Sequence, residues 1–457
     1  MKHTLLALAL LSVACSSDTS TPADPSDTAA NVAETAQPDV AVGTDDTADM
    51  PEPDLGPPIE TCDSSKTPIV MAHGLLAAGD TWAPHAMRFM SQGYCRSHLV
   101  AFDWNTLAQD GAEQQLDDTI TAVLADTGAQ SVVLLGHSAG GSLGYRYLAE
   151  PARATRVSRY VHVGSGLETT TPDGIETLNL WSAADLIIEV KGDIPGATNV
   201  MLDDEDHYSV ATSPASFEAI YAFVEDGPAP STEITVQDRP VLAGKALTFG
   251  ENTPLDGGVV TIFAVEPSSG QRAGDSLATF TCDPDGSWGP FEAKPGQYYE
   301  LLVQSADPVD RPIHYYFEPF THSNHMVYLR TLPGPTTVAG ALLAGIPWTD
   351  EGAIAVIFGS SQSFQHGRDS LTIQGTEMAT ETLAPPAKTL LALFVYDDGD
   401  QTTTDNPDPL FADFPFLSGV DRHLEPDATI TVQFNGRTLN AAAWPAQTQG
   451  AVVIVLN

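Results

Sequence analysis

Basic side chains are scarce in this chain of 457 residues: 19 lysines and arginines stand against 60 aspartates and glutamates, a formal charge of −41. Nucleic acid as a partner needs a basic footprint, so that class is excluded, as is docking on an anionic membrane through a polybasic patch. Long apolar runs are missing too. Beyond Leu5–Leu11 no stretch approaches the roughly 18 residues of a spanning helix, and the chain does not read as polytopic. Cysteine is sparse, with four in all and none of the paired close spacing that marks a zinc site. No metal and no cofactor is implied. What remains is a hydrophobic content of 42%, enough for real cores and against wholesale disorder, in a length that favours two or three domains.

The N-terminus reads as an export signal. Lys2 and His3 precede the apolar run Leu5–Leu11, and Ser12-Val13-Ala14 lead into Cys15. A charged start, a short apolar stretch and small residues are the marks of such a signal rather than of a membrane-spanning helix. Cys15 after these residues resembles the bacterial lipobox, whose cysteine is lipidated, although Ser12 stands where that motif usually has leucine. Residues 1–15 are therefore expected to be a lipoprotein-type signal, with membrane contact through a lipid on Cys15. The expected location is the outer membrane or cell surface, or a released form. From Ser16 to Glu60 there are 11 acidic residues and no lysine or arginine, among many Ser, Thr, Ala and Pro. Such a stretch buries too little apolar surface to order itself, and 16–60 is expected to be an extended tether.

Of the other cysteines, Cys62 lies just before the first strand and Cys95 just before the next. Neighbouring strands bring such positions together, and a Cys62–Cys95 disulfide is expected in an oxidising compartment. Cys282 is left as a free thiol.

Between Pro68 and Val224 buried strands alternate with helices. Ile69–Met71, Leu99–Phe102, Val132–Leu135, Tyr160–Val163, Thr177–Trp181 and Val200–Leu202 read as strands. Thr81–Gln92 with Asp80 as its cap, Ala112–Thr127, a segment through Tyr147, and Pro214–Val224 read as helices. That rhythm predicts an α/β domain over 61–228, a mostly parallel sheet with helices on both faces. After a Gly-Pro-Ala-Pro-Ser linker at 227–231 the pattern changes. Gly258–Val265, Tyr298–Val303, Val327–Leu329, Ala353–Phe358, Leu390–Val395, Thr429–Phe434 and Val452–Leu456 alternate in short runs between Gly, Pro and Asp. An all-β region is expected there, divided as a β-rich domain over 229–334 and a β-sandwich-like or barrel domain over 335–457.

Gly136-His137-Ser138-Ala139-Gly140 follows the strand Val132–Leu135 directly and opens a helix. A serine on a sharp strand-to-helix turn needs small flanking residues, and that geometry exposes its hydroxyl at the carboxyl edge of the sheet. Ser138 is the expected nucleophile. His73-Gly74-Leu75-Leu76 follows the first strand, where the N–H of Leu75, with that of Ala139, would hold a tetrahedral oxyanion. Asp185, beyond Thr177–Trp181, is the chosen acid, with Asp173 and Asp193 as competitors that look like turn residues. His207, between Val200–Leu202 and the last helix, is the chosen base. Its rival His162 sits in an apolar strand, and His73 and His137 flank key turns. The order Ser, Asp, His suits this kind of sheet.

His-Gly-Leu-Leu at 73–76, Gly-His-Ser-Ala-Gly at 136–140, Gly-Ala-Thr-Asn-Val at 196–200, and His207 followed by Thr-Ser-Pro at 212–214 resemble the α/β-hydrolase lipases and esterases. The similarity is greatest to the two-domain archaeal long-chain lipases and their bacterial relatives. It continues through Gly-Ser-Trp-Gly-Pro-Phe at 286–291 and His-Tyr-Tyr-Phe-Glu-Pro-Phe at 314–320. The resemblance implies hydrolysis of acyl esters, lipids among them, with a C-terminal β domain associated with the lipid substrate. Only a short segment joins Trp104 to Ala112, where the archaeal relatives carry an inserted lid, and Gly164 stands where those relatives place the acid. Two other function classes stay open: a surface binding protein with an incidental hydrolase domain, and an acyltransferase or polyester depolymerase. Asp397, Asp398, Asp400 and Asp405 could hold a calcium ion, though a solvated acidic turn is the plainer reading. His314, His322 and His325 are spaced too irregularly for a metal site.

Overall fold

The computed structural model describes residues 62–307 and 310–457. The export signal, Cys15 and the acidic tether lie outside the described residues. Strands β1 (Ile69–Ala72), β2 (Leu99–Phe102), β3 (Val132–His137), β4 (Val157–Val163), β5 (Glu176–Ser182) and β6 (Thr198–Leu202) form a sheet in the order β2-β1-β3-β4-β5-β6, every neighbouring pair parallel. Parallel pairing requires crossovers: α1 (Ala83–Ser91), α2 (Ala112–Thr127), and α3 (Ala139–Leu148) with the single turn α4 (Pro151–Ala154) supply the first three, loops join β4 to β5 and β5 to β6, and α5 (Pro214–Val224) follows the last strand. Period-2 alternation sends Ile69, Met71, Val133, Leu135 and Val161 against α1 and α5. It sends Val70, Ala72, Val132, Leu134 and Tyr160 against α2 and α3. Both faces are covered, which is why β1 is apolar throughout and β3 is apolar from Val132 to Leu135. Helix α2 shows the matching logic at period 3.6: Leu116, Ile120 and Val123 are its buried stripe.

Asp80 does not cap α1. Pro84 fixes the start of that helix near Ala83, a 3-10 turn over Gly79–Trp82 precedes it, and the Asp80 carboxylate instead pairs with Arg330. Cys62 and Cys95 are joined by a disulfide beside the β1–β2 edge. Cys282 is free and packed in the β core.

The regular structure in the rest of the described chain is mainly strand. In chain order these are β7 (Val241–Thr248), β8 (Val259–Val265), β9 (Ala278–Thr281), β10 (Ser287–Glu292), β11 (Tyr298–Gln304), β12 (Ile313–Phe317), β13 (Leu329–Thr331) and β14 (Ala355–Gly359). They are followed by β15 (Leu371–Ile373), β16 (Thr376–Glu377), β17 (Ala392–Tyr396), β18 (Leu417–Asp421), β19 (Thr429–Phe434), β20 (Arg437–Ala442) and β21 (Ala451–Leu456). One eight-stranded mixed sheet, in the order β18-β17-β14-β21-β12-β11-β8-β9, takes strands from both sides of residue 334. The last strand, β21, lies between β12 and β14, parallel to both. Residues 229–334 and 335–457 therefore share a sheet. One face of it packs on the three-stranded sheet β10-β7-β13 through Val260, Ile262, Tyr299, Leu301 and Val303 against Leu242, Ala246 and Trp288. The other packs on β16-β15-β19-β20 through Ala355, Ile357, Leu393, Val452 and Ile454. Leu247, Met326 and Tyr328 join the core that holds α1 and α5, so the three-stranded sheet lies against the α/β half.

Candidate active site

In the parallel sheet the connection from β1 goes to one side and the next returns across it to β3. Such a switch of direction opens a crevice outside the carboxyl ends of the two strands. Ala72 pairs with Gly136, so the loop 73–76 and the turn carrying Ser138 leave that edge side by side. Ser138 has φ 54° and ψ −118°, a strained setting for a residue with a Cβ, and it presents its hydroxyl above the start of α3. The flanking glycines are required by close approach. A methyl group at Gly136 would come within 2.4 Å of the Gly140 carbonyl oxygen, and one at Gly140 within 2.4 Å of that of Ala72.

Asp185 and His207 sit in the loops after β5 and β6, at the same edge. The Ser138 hydroxyl donates to His207 Nε2 at 3.0 Å, and His207 Nδ1 donates to Asp185 Oδ2 at 2.8 Å. The other Asp185 oxygen accepts the N–H groups of Ile187 (2.9 Å) and Ile188 (3.1 Å), which fixes the carboxylate. Lys191 donates to the Asp185 carbonyl. Asp185 and His207 are almost fully buried, whereas Ser138 is half-buried. Burial alone would raise the Asp185 carboxyl; the His207 hydrogen bond and the two N–H groups outweigh it and hold it below the ordinary range.

Neither the Leu75 N–H nor the Ala139 N–H, the first of α3, has an acceptor among the described residues. The loop that carries Leu75 is held from both sides. Leu76 N–H donates to Thr106 Oγ1 at 3.0 Å, and His73 Nδ1 donates to the Gly74 carbonyl at 2.9 Å. Burial pulls the His137 ring down to about 3, so it is neutral, and its Nε2 donates to the His207 carbonyl at 2.8 Å. His162 is buried away from the serine, donating to the Gly166 carbonyl at 3.0 Å, with its ring pulled down to about 4 by burial. The competing acids do not reach the site. Asp173 is exposed, and Asp193, also exposed, accepts the Trp181 ring N–H at 3.3 Å.

Side chains that no motif announced complete the site. Asp206 turns away from His207 and binds Ser363 Oγ at 2.6 Å and Arg368 Nη1 at 2.7 Å, while Asp203 and Asp204 are exposed. Tyr208 OH donates to the Ser360 carbonyl at 3.0 Å, and Thr212 Oγ1 to that of Ser361 at 2.7 Å. Phe416 stacks on the His207 ring with centroids 5.8 Å apart. Asn252 donates to the Ala77 carbonyl at 2.8 Å and the Trp104 carbonyl at 3.1 Å, bracing the loop behind Leu75. All of these partners come from the β half, more than 100 residues away in the chain, where sequence carries no local signal for them. Elsewhere, one carboxylate oxygen each from Asp397, Asp398 and Asp400 lies within 4.8 Å of the others. Asp397 Oδ1 and Asp400 Oδ1 are already occupied by turn N–H groups of Gly399, Gln401 and Thr402.

Residues 66–159 match the class 2 lipase family, residues 238–332 the lipase C-terminal domain, and residues 359–456 a further C-terminal domain family. Among solved structures, a mature Bacillus licheniformis lipase is similar over 37% of this chain and 96% of its own, at 16% identity and a TM-score of 0.30. A carboxylesterase from Bacillus subtilis is similar over 36% of this chain and 86% of its own, at 12% identity and a TM-score of 0.29. A naproxen esterase from Bacillus subtilis is similar over 36% and 85%, at 13% identity and a TM-score of 0.28. With a class 2 lipase match spanning β1 to the start of β4 and a lipase C-terminal domain match behind it, the chain has an α/β-hydrolase fold followed by a C-terminal β region and is similar to the lipases and esterases.

Proposed function

We propose that this protein is a serine carboxylic-ester hydrolase that cleaves acyl esters, lipids among them, through an acyl-enzyme on Ser138. The reading is carried by one observation: a continuous hydrogen-bonded chain from the Ser138 hydroxyl through His207 to the buried Asp185, at the carboxyl ends of β3, β6 and β5. His207 Nε2 takes the hydroxyl proton as Oγ bonds to the ester carbon. The carbonyl oxygen, now an anion, lies toward the N–H groups of Leu75 and Ala139, each worth roughly 3 kcal/mol in such sites. The ester C–O bond then breaks, and His207 returns the proton to the leaving alkoxide. A water molecule repeats the sequence on the acyl-enzyme, releasing the acid and restoring Ser138. Asp185 stays ionised, keeps the proton on Nδ1 so that Nε2 faces the serine, and stabilises the charged imidazole.

The expected outcome is that wild-type protein hydrolyses p-nitrophenyl esters and is labelled at Ser138 by a fluorophosphonate. Ser138→Ala should abolish both, and Asp185→Asn should lower kcat about ten-thousand-fold, as loss of the orienting carboxylate does in related triads. A folded wild type that resists the probe refutes the reading. We further propose that the protein is exported and held at a membrane surface by a lipid on Cys15, which accords with the disulfide and the acidic stretch before it. Incorporation of a radiolabelled fatty acid, lost in Cys15→Ser, tests this; an unlabelled wild type overturns it.

A further inference from the structure

The loop after β1 stands in a conformation that it does not hold by itself. Leu76, next to the residue whose N–H would hold the oxyanion, has φ 59°, a left-handed setting that is uncommon for a side chain of its bulk. Such a residue persists only where its surroundings over-determine it. Two hydrogen bonds do so, one on each side. The Leu76 N–H is taken by Thr106 Oγ1 at 3.0 Å, and the carbonyl of the next residue, Ala77, by the Asn252 amide at 2.8 Å. Thr106 belongs to the segment after β2, and Asn252 to the turn between β7 and β8, in the β half.

Asn252 Nδ2 carries two protons, and the second goes to the Trp104 carbonyl at 3.1 Å. One side chain thus ties the loop after β1 to the segment after β2. Its nitrogen also lies 3.3 Å from His73 Nε2, which accepts the Trp104 N–H at the same distance, and the Trp104 ring N–H donates to the His73 carbonyl at 3.2 Å. The turn that delivers Asn252 is itself fixed. The Thr248 N–H donates to the Thr253 carbonyl at 2.9 Å, and the Asn252 N–H to the Thr248 carbonyl at 3.1 Å.

Asn252 is kept there against local cost. Its φ is 54°, and its Oδ1 is buried without a hydrogen-bond partner among the described residues. Turning the amide over would set Oδ1 against two carbonyls, so the orphaned acceptor is inherent in this clamp. An unpaired buried acceptor lowers stability, and a residue that breaks local rules in this way points to function. Resting on the serine-hydrolase reading above, we propose that Asn252 is a positioning residue for ester cleavage. By holding the Ala77 carbonyl it keeps Leu76 left-handed, and so aims the Leu75 N–H at the oxyanion. The oxyanion hole is then completed by the β half, although Asn252 never touches the substrate. Without its amide, Leu76 is free to relax to negative φ, and that rotation re-aims the peptide groups before it.

The test uses the full chain with Asn252→Gly and, should that variant not fold, Asn252→Asp. Glycine adopts φ 54° more readily than asparagine and removes the orphaned acceptor, so the clamp is lost without strain on the turn. Aspartate keeps the shape and replaces the two donors by an acceptor facing two carbonyls. Losing an oxyanion donor outright costs about 10²–10³-fold and displacing a group by an ångström about a hundredfold, so kcat on p-nitrophenyl acetate should fall roughly ten- to a hundredfold, with KM within about twofold. An alkyl trifluoromethyl ketone adds Ser138 Oγ to its carbonyl carbon and leaves an oxyanion facing the same N–H groups. Its affinity should fall by the same factor as kcat, which general loosening of the fold would not produce. Thr253→Ala, exposed in the same turn, should leave both quantities unchanged. A folded Asn252 variant with kcat within about twofold of wild type overturns the proposal, and so does a fall in kcat with ketone affinity intact. In each of these cases a fluorophosphonate still labels Ser138 of the wild type, whereas failure of the serine mechanism itself abolishes that labelling.

Discussion

Replacing Arg368 by methionine removes a cation that faces the buried carboxylate next to His207. Asp206 is 4% exposed. Its Oδ1 accepts the N–H groups of Tyr208 and Ser209, each at 2.9 Å, and its Oδ2 accepts Ser363 Oγ and Arg368 Nη1. Burial pushes this carboxyl up, but the bonds from Ser363, Ser209 and Arg368 outweigh burial and bring it below the ordinary value. Removing one partner of a fully buried pair costs about 3–5 kcal/mol. The Arg368 side chain is 35% exposed, so water replaces part of what is lost, and about 1–3 kcal/mol is the expected destabilisation. The functional effect should exceed that share of stability. Displacing an imidazole by an ångström costs about a hundredfold in rate, so kcat on a short ester should fall roughly ten- to a hundredfold, with KM changing less. Arg368→Lys should recover part of the loss, since the charge is kept and the planar fork is not. A double-mutant cycle of Asp206→Asn and Arg368→Met, followed by urea unfolding and by kcat, should give a coupling of about 1–3 kcal/mol in stability. Because the folded Asp206 pKa lies below its unfolded value, its contribution is complete above about pH 4 and disappears as pH falls through the folded value. Additive single variants at pH 7, with kcat unchanged in Arg368→Met, would refute the view that the β half holds the histidine in place.

Acid should destabilise the fold well before the carboxylates titrate. Burial pulls His137 to about 3 and His162 and His325 to about 4, and lowers His73 and His85 in the same direction. The unfolded chain binds these protons below about pH 6.5 and the folded one does not, so each of the first three rings should cost about 2 kcal/mol between pH 6.5 and pH 5. Urea unfolding at pH 7.5 and pH 5.0 measures this, and equal stabilities would contradict it. The disulfide closes a loop of 33 residues, and reducing it should cost about 4 kcal/mol by loosening the unfolded chain. Dithiothreitol should lower the urea midpoint of the wild type and have no effect on a Cys62→Ala/Cys95→Ala variant.

The hydrolase half was legible because its organisation is local. In the parallel sheet the first three strands each feed a crossover helix that packs beside them, so apolar runs such as Val132–Leu135 and the stripe Leu116, Ile120 and Val123 report both element and face. The candidate catalytic side chains sit at strand ends, and Ser138, Asp185 and His207 each follow a strand that the pattern marks. Asp80 shows the limit of local reasoning. An acidic residue before an apolar run reads as a cap, and only the arrival of Arg330 from 250 residues downstream shows where its charge goes. The β half fails the local test more broadly. Strand β12 is buried at all five positions and β21 at all six, so neither alternates in burial, and β21, the last strand in the chain, lies between the distant β12 and β14. Strand β7 contains Gly244, where a methyl group would lie 1.9 Å from the Val327 carbonyl oxygen, a constraint set by a segment some eighty residues away. The same separation hid Asn252, Ser363, Arg368 and Phe416. Catalytic groups must leave strand ends at fixed places, so a motif can report them. The groups that brace those loops need only arrive in space, and any suitably folded segment can bring them. The candidate triad is therefore readable from this sequence in a way that its bracing is not, because Ser363, Arg368 and Phe416 belong to segments whose neighbours are decided by the whole fold.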